Sequence, residues 1–131
     1  MEPVFLTRDE VIALHIAQIE AFGGAHGVRD EGLLESALAM PGAGFGDDYL
    51  HRDVFEMAAA YLFHLVMNHP FVDGNKRTGL HAADVFLRVN GWDSSMEPDA
   101  LYELVIAVTE GRADKPVIAA AFREHSVPRA E

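Results

Sequence analysis

The stretch from Asn68 to Gly91 constrains this chain more than any other. It reads Asn-His-Pro-Phe-Val-Asp-Gly-Asn-Lys-Arg-Thr-Gly and passes directly into a helical pattern that stops at Asn90-Gly91. Leu80, Ala83 and Leu87 share one stripe, and Ala82, Phe86 and Val89 share the next. Arg77, His81, Asp84 and Arg88 keep to the other side. A loop this polar, feeding a helix this amphipathic, sets reactive groups at a helix opening.

The first turn of a helix leaves backbone N–H groups without partners, and the dipole adds partial positive charge. Phosphate settles readily at such a place. Gly74 lets backbone approach a ligand closely, and Asn75 suits the N-cap. Lys76 and Arg77 then occupy the first turn, where a purely structural helix favours acids. Their charge opposes the dipole, and a bound anion resolves that conflict. His69, six residues before Asn75, can fold back over the opening as a base for a hydroxyl proton. Asp73 offers a hard oxygen ligand for Mg2+. Arg77 can grip phosphate with a planar fork, whereas Lys76 acts as a point charge. Base, metal ligand, anion cradle and charge clamp are what transfer of a phosphate-containing group requires.

The 131 residues suffice for a single domain, 1–131, with one modest core. A formal net charge of -11, from 21 acids against 10 bases, argues against a nucleic-acid surface. There are no cysteines, which fits a reducing cytosol. Met1-Glu-Pro-Val has no signal-peptide character, and no apolar run approaches the ~20 residues of a membrane span. A cytoplasmic protein with no membrane contact is expected.

Thr7 to Glu10 forms a capping box opening a helix with Ile12, Ile16 and Ile19 inward, stopped at Gly23-Gly24. Gly23 to Gly27 reads as turns. Asp30 caps a short helix burying Leu33, Leu34, Ala37 and Leu38, broken at Pro41-Gly42. Residues 40–50 are the most irregular stretch. Asp53 to Asn68 is apolar on most faces, belongs in the middle of a bundle, and delivers His69 at its end. Helices near Asp99–Glu110 and from Asp114, with Pro116 in the first turn, complete the pattern. With no alternating strand, the fold class is an all-α bundle of about six helices. Residues 126–131 read as a frayed tail. His64 reads as a packing histidine and His81 as part of a solvated face.

His69-Pro-Phe-Val-Asp73-Gly74-Asn75-Lys76-Arg77 resembles the signature loop of the Fic/Doc superfamily, and its Asn-Lys-Arg-Thr ending is similar to the Doc (death-on-curing) branch. The likeness runs from Phe5 to about Phe122, through Arg29 to Leu38 and Phe86 to Gly91. Members that transfer AMP carry glycine in place of Lys76 and a second arginine in place of Leu80, and both departures match the Doc branch. The resemblance implies a toxin that moves the terminal phosphoryl group of ATP to a threonine of elongation factor Tu. His69 is then the base and Asp73 the magnesium ligand. Gly74, Asn75, Lys76 and Arg77 cradle the nucleotide, with Lys76 and Arg77 also counted as catalytic. Residues 40–50 become a flap whose Phe45 and Tyr49 face the target. Glu31-Gly32 and Glu110-Gly111 lack the hydroxyl of a built-in inhibitory helix, since Gly27 and Ile106 stand there. A separate antitoxin chain, with a segment that folds on binding, is implied instead.

Other readings use the same residues. AMP transfer to protein hydroxyls is one, and a non-catalytic nucleotide- or partner-binding domain is another. A metal phosphohydrolase built on His64, His69, Asp73 and His81 lacks an adjacent His-Asp pair and leaves the cations unexplained.

Overall fold

The computed structural model describes residues 2–130. Among the described residues there are six helices: α1 (Arg8–Phe22), α2 (Glu31–Ala39), α3 (Val54–Asn68), α4 (Asn75–Val89), α5 (Pro98–Thr109) and α6 (Lys115–Glu124). Thr7 and Glu10 form the reciprocal capping box of α1, and Asp30, Asp53 and Asp114 accept first-turn N–H groups of α2, α3 and α6.

α3 is the axis of the bundle. Phe55, Ala58, Ala59, Tyr61, Leu62, Leu65 and Val66 are buried around its circumference, and α2, α4, α5 and α6 pack on it. α4 packs tightly against it. A Cβ on Gly79 would lie 3.0 Å from Val66 Cγ2 and 3.3 Å from the Leu62 carbonyl oxygen. Small Ala82 and Ala83 continue that seam, and Phe86 and Leu87 fill the core beyond it.

Several expectations need correction. α1 turns Val11, His15 and Ile19 inward and leaves Ile16 42% exposed, because His15 is drawn into a buried contact described below. Val89 lies outward at the end of α4. Four short strands accompany the helices. β1 (Gly44–Phe45) and β2 (Asp48–Tyr49) make a hairpin, and β3 (Trp92–Ser94) pairs with β4 (Ser126–Pro128). The expected frayed tail is therefore tied down through Pro128, with Trp92 facing Pro128, and Arg129 N–H donates to the Gly91 carbonyl at 2.8 Å. Three-residue strands carry too little alternation to read in sequence. Among the described residues no helix is long and apolar enough to cross a membrane.

Candidate functional site

α3 ends at Asn68, and His69 turns left-handed (φ 49°, ψ 53°). Among the described residues it is the sole non-glycine with positive φ. Such a conformation costs of order 1–3 kcal/mol and persists only where its surroundings enforce it. The turn leaves the imidazole exposed, at the end of a buried helix, rather than packed in the core.

The loop beyond it is held at its middle. Phe71 is buried, bridges Val28 in antiparallel fashion, and stacks on the His15 ring with centroids 3.9 Å apart. His15 Nε2–H donates to the Asp73 carbonyl at 2.8 Å. The Asn75 side chain accepts from Phe71 N–H at 2.9 Å and donates to the Phe71 carbonyl at 3.0 Å. Asn75 is thus not the N-cap. It is the first residue of α4, and its buried amide closes the loop rather than facing a ligand. What it can offer a nucleotide is its backbone.

Gly74 takes the N-cap position in the left-handed region (φ 74°). The left-handed backbone favours glycine, and a Cβ there would press Ile19 Cδ1 at 3.0 Å. α4 has no side-chain cap and no acid in its first turn. Every other helix has one or the other. Lys76 and Arg77 are exposed at this bare opening.

A cavity of about 720 Å³ joins these parts. His69, Asp73, Gly74, Asn75, Lys76 and Arg77 line one side, and Pro98, Leu101, Tyr102, Val105 and Ile106 of α5 line the other. Its size falls within the ~300–1,000 Å³ typical of small-molecule sites. Asp73 accepts from Gly74 N–H at 2.9 Å and Ala25 N–H at 3.3 Å, and stays exposed. Among the described residues no cluster of three or more His, Cys, Asp or Glu could cage a metal ion. A single exposed carboxylate beside the uncapped opening of α4 has the donor chemistry that magnesium takes, since that ion commonly shares one or two protein carboxylates with substrate phosphates and water.

A second cavity, about 410 Å³, shares Arg77, Leu80 and Leu101 with the first. His81 lines it and bonds through Nδ1 to Gln18 Nε2 at 2.5 Å, so it is a cavity residue rather than part of a solvated face. The Arg77 guanidinium lies 4.7 Å from the Phe22 ring centroid.

Neither flap residue lines the main cavity. Phe45 is 92% exposed at the hairpin, whereas the Tyr49 hydroxyl donates to Glu2 Oε2 at 2.9 Å and its ring packs on Phe5. That bond to a carboxylate raises the Tyr49 pKa. His64 lies elsewhere, half-buried on α3, with Lys115 Nζ 3.1 Å from its Nε2 and 3.4 Å from His51 Nε2. Burial, then the Lys115 charge, pushes His64 down to about 4 and His51 down as well. His64 is a packing histidine, as expected from sequence.

Two residues of the site escaped the sequence reading. His15 carries a signal in retrospect, its spacing of four from both Val11 and Ile19 on the buried face. Arg29 carries none. Its Nε donates to the His69 carbonyl at 2.7 Å and its Nη2 to the Asn68 carbonyl at 3.1 Å, across 40 and 39 residues of chain.

The protein kinase doc of Escherichia phage P1 is 34% identical over 118 residues, covering 90% of this chain and 92% of that protein. The toxin Doc of Mycolicibacterium smegmatis is 47% identical over 88 residues, covering 66% of this chain and 65% of that protein. The family model described as Fic/DOC matches residues 5–87, from the α1 cap through the loop and most of α4, and the chain belongs to the Fic/DOC family.

Proposed function

We propose that this protein is the toxin of a toxin–antitoxin pair and transfers the terminal phosphoryl group of ATP to a threonine hydroxyl of a translation factor, with elongation factor Tu as the expected target. The observation that carries the reading is the opening of α4. It lacks both cap and acid, yet has Lys76 and Arg77 in its first turn, in one cavity with His69 and Asp73. A phosphate group would satisfy the free N–H groups and neutralise the two cations together.

In this reading His69 takes the proton of the threonine hydroxyl as its oxygen attacks the terminal phosphorus. The bond to the bridging oxygen breaks, and ADP leaves. Backbone N–H groups of the first turn, with Lys76 and Arg77, stabilise charge on the transferring group. Asp73 would hold magnesium, which neutralises phosphate charge when bound. Leu80 presents no guanidinium for a second phosphate contact, and Lys76 fills room that glycine would leave. Both favour phosphoryl over AMP transfer. The names of the two relatives, a protein kinase and a toxin, support the reading. A net charge of -11 suits an antitoxin whose docking segment is basic.

The test is incubation with ATP, magnesium and elongation factor Tu, read by intact mass. One added phosphoryl group, lost with His69→Ala while that variant stays folded, is the expected result. An adenylyl mass would replace kinase by AMP transferase. Transfer undiminished in His69→Ala would remove the assigned base. Growth arrest on expression, relieved by the co-expressed partner, tests the toxin role, and harmless expression would count against it.

A further inference from the structure

Resting on the reading of His69 as the base, we infer that Arg29 is its positioning residue: the guanidinium enforces the left-handed turn that carries the imidazole into the cavity. The chain has eight arginines. Among the described residues, Arg8, Arg52, Arg88, Arg112, Arg123 and Arg129 each pair with a carboxylate. The two without such a pair are Arg77, in the cradle, and Arg29. In a chain with twice as many acids as bases, an arginine that spends its fork on neutral carbonyls has a geometric task.

That task is specific. α3 ends without a basic residue in its last turn, so its terminal carbonyls and its negative dipole end go unanswered by the helix itself. Arg29 answers both from outside, through the Asn68 and His69 carbonyls. Its own backbone N–H, and that of Asp30, donate to the Pro70 carbonyl at 2.7 and 3.1 Å. One short segment therefore grips three consecutive carbonyls around the turn. The backbone part survives any substitution except proline, whereas the grip on residues 68 and 69 depends on the side chain. Arg29 is exposed and is not among the residues lining the main cavity, so it acts through His69 rather than on phosphate. Without the fork, the strained φ of His69 can relax and the ring swings off its line to the acceptor. Lysine, with one compact head, can hold one carbonyl but not both in fixed geometry.

The experiment compares full-length wild type, Arg29→Met, Arg29→Lys and His69→Ala. Phosphoryl transfer to elongation factor Tu and thermal midpoint are measured, with heteronuclear NMR of the His69 ring and the amides of residues 71–74. Displacement of a reacting group by about 1 Å costs ~10²-fold in rate. Arg29→Met is expected to lower kcat about that much, with KM for ATP within twofold and the melting midpoint kept, and Arg29→Lys to recover part of it. The His69 ring and loop resonances should shift in Arg29→Met while those of the α3–α4 core stay fixed. Unchanged kcat, or a fall matched by lost thermal stability and a raised KM, overturns the inference. If wild type transfers nothing, the functional reading fails, and the NMR arm still decides the geometry. Unmoved His69 resonances in Arg29→Met reject it whatever the activity.

Discussion

The contact of His64 with Lys115 makes stability depend on pH in a way that can be worked from the structure. His64 sits half-buried on α3 and accepts from Lys115 Nζ at 3.1 Å, and burial with the Lys115 charge depresses its pKa from 6.5 to about 4. The folded state therefore prefers the neutral ring. Between pH 6.5 and 4 the unfolded chain binds a proton that the folded chain refuses, so stability falls as pH drops through that window. Above 6.5 and below about 4 this residue adds no slope. Each pKa unit is worth about 1.4 kcal/mol, which sets a ceiling of roughly 3 kcal/mol. Solvent screening of a half-buried ring brings the expected effect to about 1.5 kcal/mol. His51, depressed by the same two causes, adds in the same direction. Carboxylates such as Asp53, whose pKa is lowered by first-turn N–H groups and Arg123 despite burial, also lose stability in acid, so a single profile does not isolate His64. His64→Gln does, because its amide oxygen can still accept from Lys115 but does not titrate. Thermal melts of both proteins from pH 7.5 to 4 should show wild type losing about 5–8 °C more than the variant, at roughly 3–5 °C per kcal/mol for a domain of this size. Parallel profiles would refute the reasoning, as would a His64 imidazole titrating near its ordinary value by NMR.

Three further outcomes follow from other contacts. Gly79→Val should destabilise by about 2 kcal/mol in urea melts, since its Cβ would press Val66 and the immovable Leu62 carbonyl at the α3–α4 seam, and a neutral result would mean the helices can separate at little cost. Asn90→Ala should cost about 2–3 kcal/mol and speed proteolysis of the first residues, because the buried amide bonds Val4 N–H, Val4 C=O and Phe86 C=O at 2.8–3.0 Å. Asp73→Asn keeps one acceptor oxygen, enough for Gly74 N–H but not for Ala25 N–H as well, so stability should fall by no more than about 1 kcal/mol while magnesium-dependent transfer falls about 10²–10³-fold, and full activity in the variant would remove Asp73 as the ligand.

Much of the architecture was legible before any coordinates. Caps at Thr7 and Asp30 are local signals, written within three or four residues, and those helices begin where they say, while Asp53 and Asp114 prove to cap the helices expected to start beside them. The apolar Asp53–Asn68 stretch could only be a central helix, and it is. The loop from His69 to Arg77 was recognisable because cations at a helix start oppose ordinary preference. Ile16, Val89 and the paired tail were misread because burial at their positions depends on what arrives from elsewhere in the chain.

The sequence alone determined which chemical groups stand at the opening of α4, since composition and spacing are local properties of nine consecutive residues. Tertiary structure decided how those groups are held. Asp73 is fixed by His15 from 58 residues away, and the His69 turn by Arg29 from 40. Asn75, legible as a cap, instead turns inward because the Phe71 backbone offers its buried amide a donor and an acceptor. A hydrogen bond between segments this far apart forms only once the helices have packed, so no local pattern could announce it.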